Sequence, residues 1–445
     1  MMENRWKEMY KHKLTTAEEA VKFIENGDLI ASASINGQPT QIVDALVRRM
    51  ASGEIRDSRF LFSLSVRMSS LHNPEIIEQC YQNNNILDTM YAGPLERYFL
   101  DQGGYSYVPH RLQDGPLMTA RVGLHAGLIT VSPMDKHGYF STGTNPEYIY
   151  GFIRRNPGCK ILAEVNQHMP RTFGNNHFHI SELTAIVEND VPLFELPPIP
   201  ISEQDELIGQ FIAERVPDGA CLQLGIGGMP NAVAKYLTHK KDLGIHTEML
   251  CDTMVDLYEA GAINGSKKKL LPRKWAACFA MGTKRLYDFM ADNPMIELYD
   301  SEWINDPYNI AKNDNMVSIN ATLEVDLSGQ CASEAIATRQ YSGAGGQMDF
   351  TEGTWRSDGG QAFLALYSTY KDKSGALHSS IVPTLTPGSM VTTTRNDVQY
   401  VVTEYGVAWL KGFDLRQRVK ELVRIAHPDF RDELMEEARK LKYIR

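Results

Sequence analysis

Glu248 lies in the short apolar segment Ile245-His246-Thr247-Glu248-Met249-Leu250, and glycine-rich loops stand on either side of it along the chain. The upstream loop is Gly225-Ile226-Gly227-Gly228-Met229-Pro230, and the downstream loop is Ser342-Gly343-Ala344-Gly345-Gly346-Gln347-Met348-Asp349-Phe350. Glycine permits close backbone approach and positive φ, so peptide N–H groups in such loops can converge on an oxygen anion. A carboxylate between two loops of this kind suits acyl chemistry on a large anionic thioester. Each piece alone also has a plain structural explanation. The segment 225–228 reads equally as a tight turn for close strand–helix packing, and a dinucleotide fingerprint is not completed, because Pro230 stands where the third glycine belongs. Glu248 reads equally as a half-buried carboxylate at a strand end, hydrogen-bonded to a helix N-terminus.

To act together, these segments need elements that bring them to one edge. In open α/β sheets, ligands bind outside the carboxyl ends of the strands. The loop 225–230 follows an apolar run (221–226) and precedes a helical pattern, which places it at that edge. Glu248 ends the next apolar segment, and the segment 343–346 has to reach the same crevice. The upstream unit has a counterpart earlier in the chain. Gly37-Gln38-Pro39-Thr40-Gln41-Ile42-Val43-Asp44-Ala45-Leu46 and Gly228-Met229-Pro230-Asn231-Ala232-Val233-Ala234-Lys235-Tyr236-Leu237 both fit G-x-P-x-x-[IV]-x-x-x-L. Both follow a short apolar run, which itself follows a helix-like stretch containing Phe23-Ile24 or Phe211-Ile212. Pro39 and Pro230 suit a first helical turn, where no N–H partner is needed. The pattern predicts tandem related α/β domains with largely parallel sheets. The extended run 191–203, with Pro192, Pro197, Pro198 and Pro200, is the linker candidate. It divides the chain into an N-terminal domain over 1–196 and a C-terminal domain over 201–445 that carries Glu248. Further strands are expected over 160–165 and 275–280. A helix capped by Thr283 is expected next, with Leu286, Tyr287, Phe289 and Met290 on one side. The stretch 417–441 is charged and helix-periodic.

Composition bounds the function. The 445 residues are 43% hydrophobic and 22% charged, as in a globular protein of more than one core. A net charge of −10 argues against a nucleic-acid surface. The cysteines, Cys80, Cys159, Cys221, Cys251, Cys278 and Cys331, are scattered with no CxxC pair, so neither a zinc site nor a disulfide framework is suggested. His177-Phe178-His179 alternates like a strand, but no nearby cysteine or carboxylate completes a metal site. The N-terminus lacks an apolar signal core, and no apolar run reaches the roughly 18 residues a membrane span needs. A cytoplasmic protein without membrane partners is the expectation.

Several motifs in the same order resemble the acetyl-CoA hydrolase/transferase family of class I CoA-transferases, in particular its 4-hydroxybutyrate and butyryl-CoA:acetate CoA-transferase members. They are Val131-Ser132-Pro133-Met134-Asp135-Lys136-His137-Gly138-Tyr139, Ala163-Glu164-Val165-Asn166-Gln167-His168-Met169-Pro170-Arg171-Thr172 and the loop containing 225–232. To these add His246-Thr247-Glu248-Met249, Ile319-Asn320-Ala321-Thr322-Leu323-Glu324-Val325-Asp326-Leu327, the loop 342–350, Val402-Thr403-Glu404-Tyr405-Gly406 and Ile425-Ala426-His427-Pro428-Asp429-Phe430-Arg431.

The resemblance implies an active site at the domain interface and a ping-pong transfer of CoA between short-chain carboxylic acids. Glu248 would be the nucleophile, passing through an acyl-glutamyl anhydride and a glutamyl-CoA thioester. It implies Gly345 and Gly346 as oxyanion-hole donors and Asn305 as an amide that orients carboxylates. Gly225, Gly227, Gly228, Asn231, Gly343 and Gln347 would flank CoA, and Gln38 and Pro39 would border the acyl-acid pocket. No permanently bound cofactor is implied; coenzyme A and acyl-CoA are substrates, and a homodimer or higher homo-oligomer is the family expectation. Glu404 and His427 are expected to be structural. One departure is that Gln361, where the family commonly has a basic residue, follows Gly359-Gly360, leaving Arg356 or Lys371 for the CoA phosphates. An acyl-CoA hydrolase on the same site and a non-catalytic metabolite-binding protein on the same fold remain alternative readings.

Overall fold

A computed structural model describes residues 2–197 and 199–445; Pro198 of the proline run lies outside the described residues. The chain divides into two units, one comprising Met1–Leu196 with Ala276–Ile304, the other Pro197–Trp275 with Asn305–Arg445. The first division falls in the proline run. The segment 276–304, which a single cut there leaves in the second half, belongs to the first unit.

The first unit is built on a seven-stranded parallel sheet. Its strands are β1 (Leu29–Ser32), β2 (Arg59–Phe62), β3 (Ile86–Thr89), β4 (Ser106–Tyr107), β5 (Ala126–Val131), β6 (Lys160–Val165) and β7 (Ala185–Glu188), in the order β7-β6-β5-β1-β2-β3-β4. Every residue of β1 and β5 is buried, as expected of parallel strands covered on both faces. The chain order reverses between β1 and β5, so the loop after β1 sits at the topological switch point. That loop is a short 3-10 turn, Ile35–Gly37, followed by Gln38 and by Pro39 at the N-cap of helix α1 (Thr40–Ala51). Pro39 thus stands one position before the first helical turn. An added Cβ at Gly37 would come within 2.8 Å of Asn145 Cβ, so only glycine fits there. Ile42, Val43, Leu46, Val47 and Met50 of α1 pack into the core together with Phe60, Phe62, Leu87 and Leu128.

The second unit repeats the plan. Its strands are β8 (Cys221–Leu224), β9 (Gly244–Ile245), β10 (Met316–Ala321), β11 (Gln361–Ala365), β12 (Tyr400–Thr403) and β13 (Gly406–Trp409), ordered β9-β8-β10-β11-β12-β13. All pairings are parallel except the hairpin β12–β13. Helix α2 (Glu203–Ala213) leads into β8, and helix α3 (Gly228–Leu237) follows it, reproducing helix, strand, loop and helix. Here the switch point lies between β8 and β10, so the loop 225–227 opens at the carboxyl edge. Gln223, buried in β8, binds across to β10: its Oε1 accepts from Ile319 N at 3.2 Å and from Asn320 Nδ2 at 3.1 Å. Helices α4 (Gln347–Arg356), α5 (Leu415–Ile425) and α6 (Arg431–Lys440) complete the unit. Val419, Leu422 and Ile425 of α5 and Leu434 and Ala438 of α6 cover Val401, Ala408 and Leu364.

Two apolar runs are more broken than their composition suggests. The run 275–280 forms two short strands, Trp275–Ala277 and Phe279–Ala280, interrupted at Cys278. The run 245–250 likewise splits into β9 and Met249–Leu250, leaving His246, Thr247 and Glu248 between them. Thr283 takes the N-cap of helix Lys284–Met290 without a side-chain cap hydrogen bond. Among the described residues, no helix is long and apolar enough to cross a membrane.

Candidate active site

Glu248 sits where the chain leaves β9 at the carboxyl edge of the second sheet. His246 N donates to Leu222 O at 3.1 Å, the last rung of the pairing with β8. The hydroxyl of buried Thr247 then reaches Leu224 O at 3.4 Å and Met249 O at 3.1 Å, turning the backbone away from the ladder. The next side chain, Glu248, is thereby presented beyond the strand ends.

Its carboxylate is held by two donors from different segments. Asn305 Nδ2, on a fully buried side chain just before the short helix Pro307–Ile310, donates to Glu248 Oε2 at 3.0 Å. The backbone N–H of Gly346, the N-cap of α4, is the second donor. Gly346 has φ −96° and ψ 10°, which any residue can adopt, so backbone freedom is not why glycine stands there. An added Cβ would lie 2.2 Å from Glu248 Oε2 and 2.1 Å from Asn305 Nδ2. The carboxylate and the amide occupy the space a side chain would need. Gly345 differs: its φ of 54° is left-handed, and a Cβ there would meet Glu248 Oε1 at an ordinary 3.7 Å.

Burial raises the pKa of Glu248 above the usual 4.5, because water is replaced around the charged form; the Asn305 and Gly346 hydrogen bonds oppose that rise. A partly desolvated carboxylate that keeps two directed donors is a stronger nucleophile than one in water. The same donors can follow negative charge onto an oxygen of an acyl adduct. The arrangement therefore suits attack of the carboxylate on an acyl carbon.

The loop 225–228 borders the same edge. Cys251 Sγ, three residues beyond Glu248, contacts Gly225 O at 4.0 Å. At Gly228 a Cβ would strike Asp205 Oδ2 at 2.3 Å and Pro200 O at 3.0 Å, so packing explains this glycine. It does not explain Gly225, whose nearest neighbour to an added Cβ is Pro230 Cγ at 4.0 Å; Gly227 has a φ of 128°. Open space beside Gly225, at a helix N-terminus, fits close approach of an anionic ligand. Asn231 faces the other way, its amide donating to Ile199 O at 3.3 Å. Gln347 is buried and donates to Ser333 Oγ at 2.8 Å and Thr393 Oγ1 at 3.0 Å, and Gly343 is buried within the second loop. In the first unit, Gln38 is buried and donates to Ser65 Oγ at 3.3 Å, with Pro39 buried beside it.

The structure thus brings Glu248, Asn305, Gly345 and Gly346 together and sets the loop 225–228 at the same edge. It engages the side chains of Asn231 and Gln347 in the scaffold. Gln361 Nε2 donates to Arg215 O at 3.0 Å. Arg356 pairs with Glu352 at 2.8 Å, and Lys371 is exposed on a short strand. Glu404 accepts from Ser368 N at 2.9 Å and Ser368 Oγ at 2.6 Å, and His427 Nδ1 accepts from Asp429 N at 3.3 Å. One residue of this neighbourhood escaped the sequence reading: Asp349, fully buried in the first turn of α4, accepts from Asn305 Nδ2 at 3.4 Å. Its signal was an acidic residue three positions after a glycine N-cap.

Comparison with known proteins bears on this geometry. The family described as acetyl-CoA hydrolase/transferase N-terminal domain matches residues 1–195, and the corresponding C-terminal domain matches 282–438. The chain is 44% identical over 438 residues to a succinyl-CoA:cyclohexane-1-carboxylate CoA transferase of Geobacter metallireducens, covering 98% of this chain and 97% of that one. It is 42% identical over 442 residues to a 4-hydroxybutyrate coenzyme A transferase of Clostridium kluyveri, covering 98% and 99%. The crystal structure of RipA from Yersinia pestis superposes with a TM-score of 0.90 at 38% identity, covering 99% of this chain and 100% of that one.

Proposed function

From the premise that this chain belongs to the acetyl-CoA hydrolase/transferase family and is a CoA-transferase, we propose that it moves CoA between short-chain carboxylic acids through covalent intermediates on Glu248. The observation that carries this reading is the carboxylate of Glu248 held between Asn305 Nδ2 and the Gly346 N–H at the carboxyl edge of a parallel sheet.

Glu248 attacks the carbonyl carbon of the acyl-CoA thioester. The tetrahedral oxyanion collapses by breaking the C–S bond, giving an acyl-glutamyl anhydride and CoA thiolate. The thiolate attacks the glutamyl carbonyl, the bond between the glutamyl carbon and the bridging oxygen breaks, and that oxygen leaves with the acyl group as the first acid's carboxylate. Glu248 now carries CoA as a thioester. The acceptor carboxylate attacks that thioester, releases CoA thiolate and forms a second anhydride. The thiolate then attacks the acceptor's acyl carbon, giving the new acyl-CoA and free Glu248. A carboxylate suits the role because it can carry an acyl group as an anhydride and CoA as a thioester. Thioester energy is retained throughout, so the scheme needs neither ATP nor a metal.

Each addition places negative charge on an oxygen that the Gly346 N–H, the Asn305 amide and the Gly345 peptide can serve. One such donor is typically worth about 10²–10³ in rate. The loop 225–228 is the CoA-facing candidate through its backbone, with Gly225 leaving room for the ligand. Among acids, 4-hydroxybutyrate, butyrate and acetate are the first to test. The decisive assay supplies one acyl-CoA with and without a second carboxylate. Formation of the second acyl-CoA that depends on the added acid supports transfer; free CoA released equally fast without it identifies a hydrolase.

A further inference from the structure

We propose that Asp349 is a positioning residue that fixes the amide of Asn305 with its nitrogen toward Glu248; this rests on the reading of Glu248 as nucleophile. Asn305 Nδ2 carries two protons. One is directed to Glu248 Oε2 at 3.0 Å and the other toward Asp349 Oδ2 at 3.4 Å. Asn305 and Asp349 are both fully buried. If the amide turned over, its oxygen would face two carboxylates, with acceptors on every side and no donor between them. Two carboxylates on one amide nitrogen therefore select a single orientation.

This selection matters most once the reaction has begun. In the resting enzyme, Glu248 itself holds the amide nitrogen inward. When Glu248 is an anhydride or a thioester, its charge is gone and that hold weakens. Asp349 still holds the amide then and keeps an N–H aimed at the oxygen where the next oxyanion forms. Asp349 also stands in the first turn of the helix whose N-cap, Gly346, donates directly to Glu248. One helical turn supports the nucleophile twice, directly through Gly346 and indirectly through Asp349 and Asn305. An acidic side chain is favoured in that first turn in any case, so the helix N-terminus stabilises the charge that the amide reads.

The inference assigns Asp349 a specific kinetic signature. Asp349→Ala should lower kcat about 10- to 100-fold, the effect of misorienting one donor, with the KM for acyl-CoA little changed. Resolution of glutamyl-CoA should slow more than its formation, so the covalent adduct should accumulate in turnover. Asp349→Asn, which keeps an acceptor at the same reach without the charge, should recover part of kcat and serves if Asp349→Ala does not fold. The test is a double-mutant cycle on kcat with Asn305→Ala, read alongside thermal unfolding and mass-spectrometric quantitation of the adduct. Either Asp349 variant should add nothing to the kcat loss of Asn305→Ala. Losses that multiply in the cycle, or an adduct level unchanged from wild type, would overturn the assignment. Glu248→Gln separates the two ideas. If that variant retains turnover, the nucleophile reading itself fails; if it is inactive and the cycle is additive, only the role of Asp349 fails.

Discussion

Alanine in place of Gly346 should disable the chemistry while leaving the backbone at ease. Residue 346 has φ −96° and ψ 10°, so alanine carries no conformational penalty. The whole cost is steric. The new Cβ would sit 2.2 Å from Glu248 Oε2 and 2.1 Å from Asn305 Nδ2, more than an ångström inside ordinary contact on both. Both groups must move, and the 3.0 Å bond between them breaks with the Gly346 contact. The displacement and the lost oxyanion donor are one and the same movement, so they count once, as about 10²–10³ in rate, equivalent to roughly 3–4 kcal/mol of transition-state stabilisation. We therefore expect kcat for CoA transfer to fall by about 10²–10³, measured at saturating acyl-CoA and acceptor acid. The control is one residue away. In Gly345→Ala the Cβ has 3.7 Å of clearance from Glu248 Oε1, while the φ of 54° strains the backbone by about 1–2 kcal/mol. That variant should lose thermal stability yet keep kcat within about tenfold of wild type, since it removes no donor. Near-wild-type kcat in Gly346→Ala, or a larger kcat loss in Gly345→Ala at equal folded fraction, would show that the space at residue 346 does not position Glu248.

Three further expectations follow from the same geometry. Because burial raises the pKa of Glu248, the folded state holds its proton more readily than the unfolded chain; stability is fullest below the ordinary 4.5 and declines as pH rises through the raised value. Glu248→Gln should accordingly abolish transfer yet raise Tm at neutral pH, with the gain shrinking toward about pH 4, which scanning calorimetry across pH will show. Asn305→Ala removes a bond that lowers this pKa, so it should reduce kcat by about 10²–10³ and move the acid limb of the pH–rate profile to higher pH. At the upstream loop, Gly225→Ala meets only Pro230 Cγ at 4.0 Å and should raise the KM for acyl-CoA without lowering Tm, whereas Gly228→Ala, 2.3 Å from Asp205 Oδ2, should lower Tm as well; steady-state kinetics with thermal melts distinguish them.

Much of the architecture could be read from the chain because the sheets are parallel and doubly covered. Such strands are continuous apolar runs, and 160–165 coincides with β6. The paired G-x-P loops mark the carboxyl edges because each follows a buried strand and enters a helix. Hydropathy could not show where the chain leaves a ladder. Thr247 does this with one hydroxyl bonded to Leu224 O and Met249 O, so 245–250 looks like one strand and is two. Nor could linear order reveal that 276–304 returns to the first unit, since that depends on packing far along the chain. At the site, glycine content identified the loops but not why each glycine is there: Gly346 is cleared by Glu248 and Asn305, and Gly228 by Asp205. Gln347 looked available for a ligand and is engaged by Ser333 and Thr393. Asp349 was visible as a letter in the second loop, but its role depends on a buried amide 44 residues upstream.

Chemical trapping shows whether Glu248 carries CoA covalently. The protein is incubated with acyl-CoA, reduced with borohydride, digested and analysed by mass spectrometry. The account predicts acyl-CoA-dependent inactivation with the side chain of Glu248, and no other carboxylate, converted from acid to primary alcohol. Free acceptor acid present during trapping should protect by discharging the thioester. An unmodified Glu248 peptide recovered from protein that is turning over, or reduction at a different carboxylate, would contradict it.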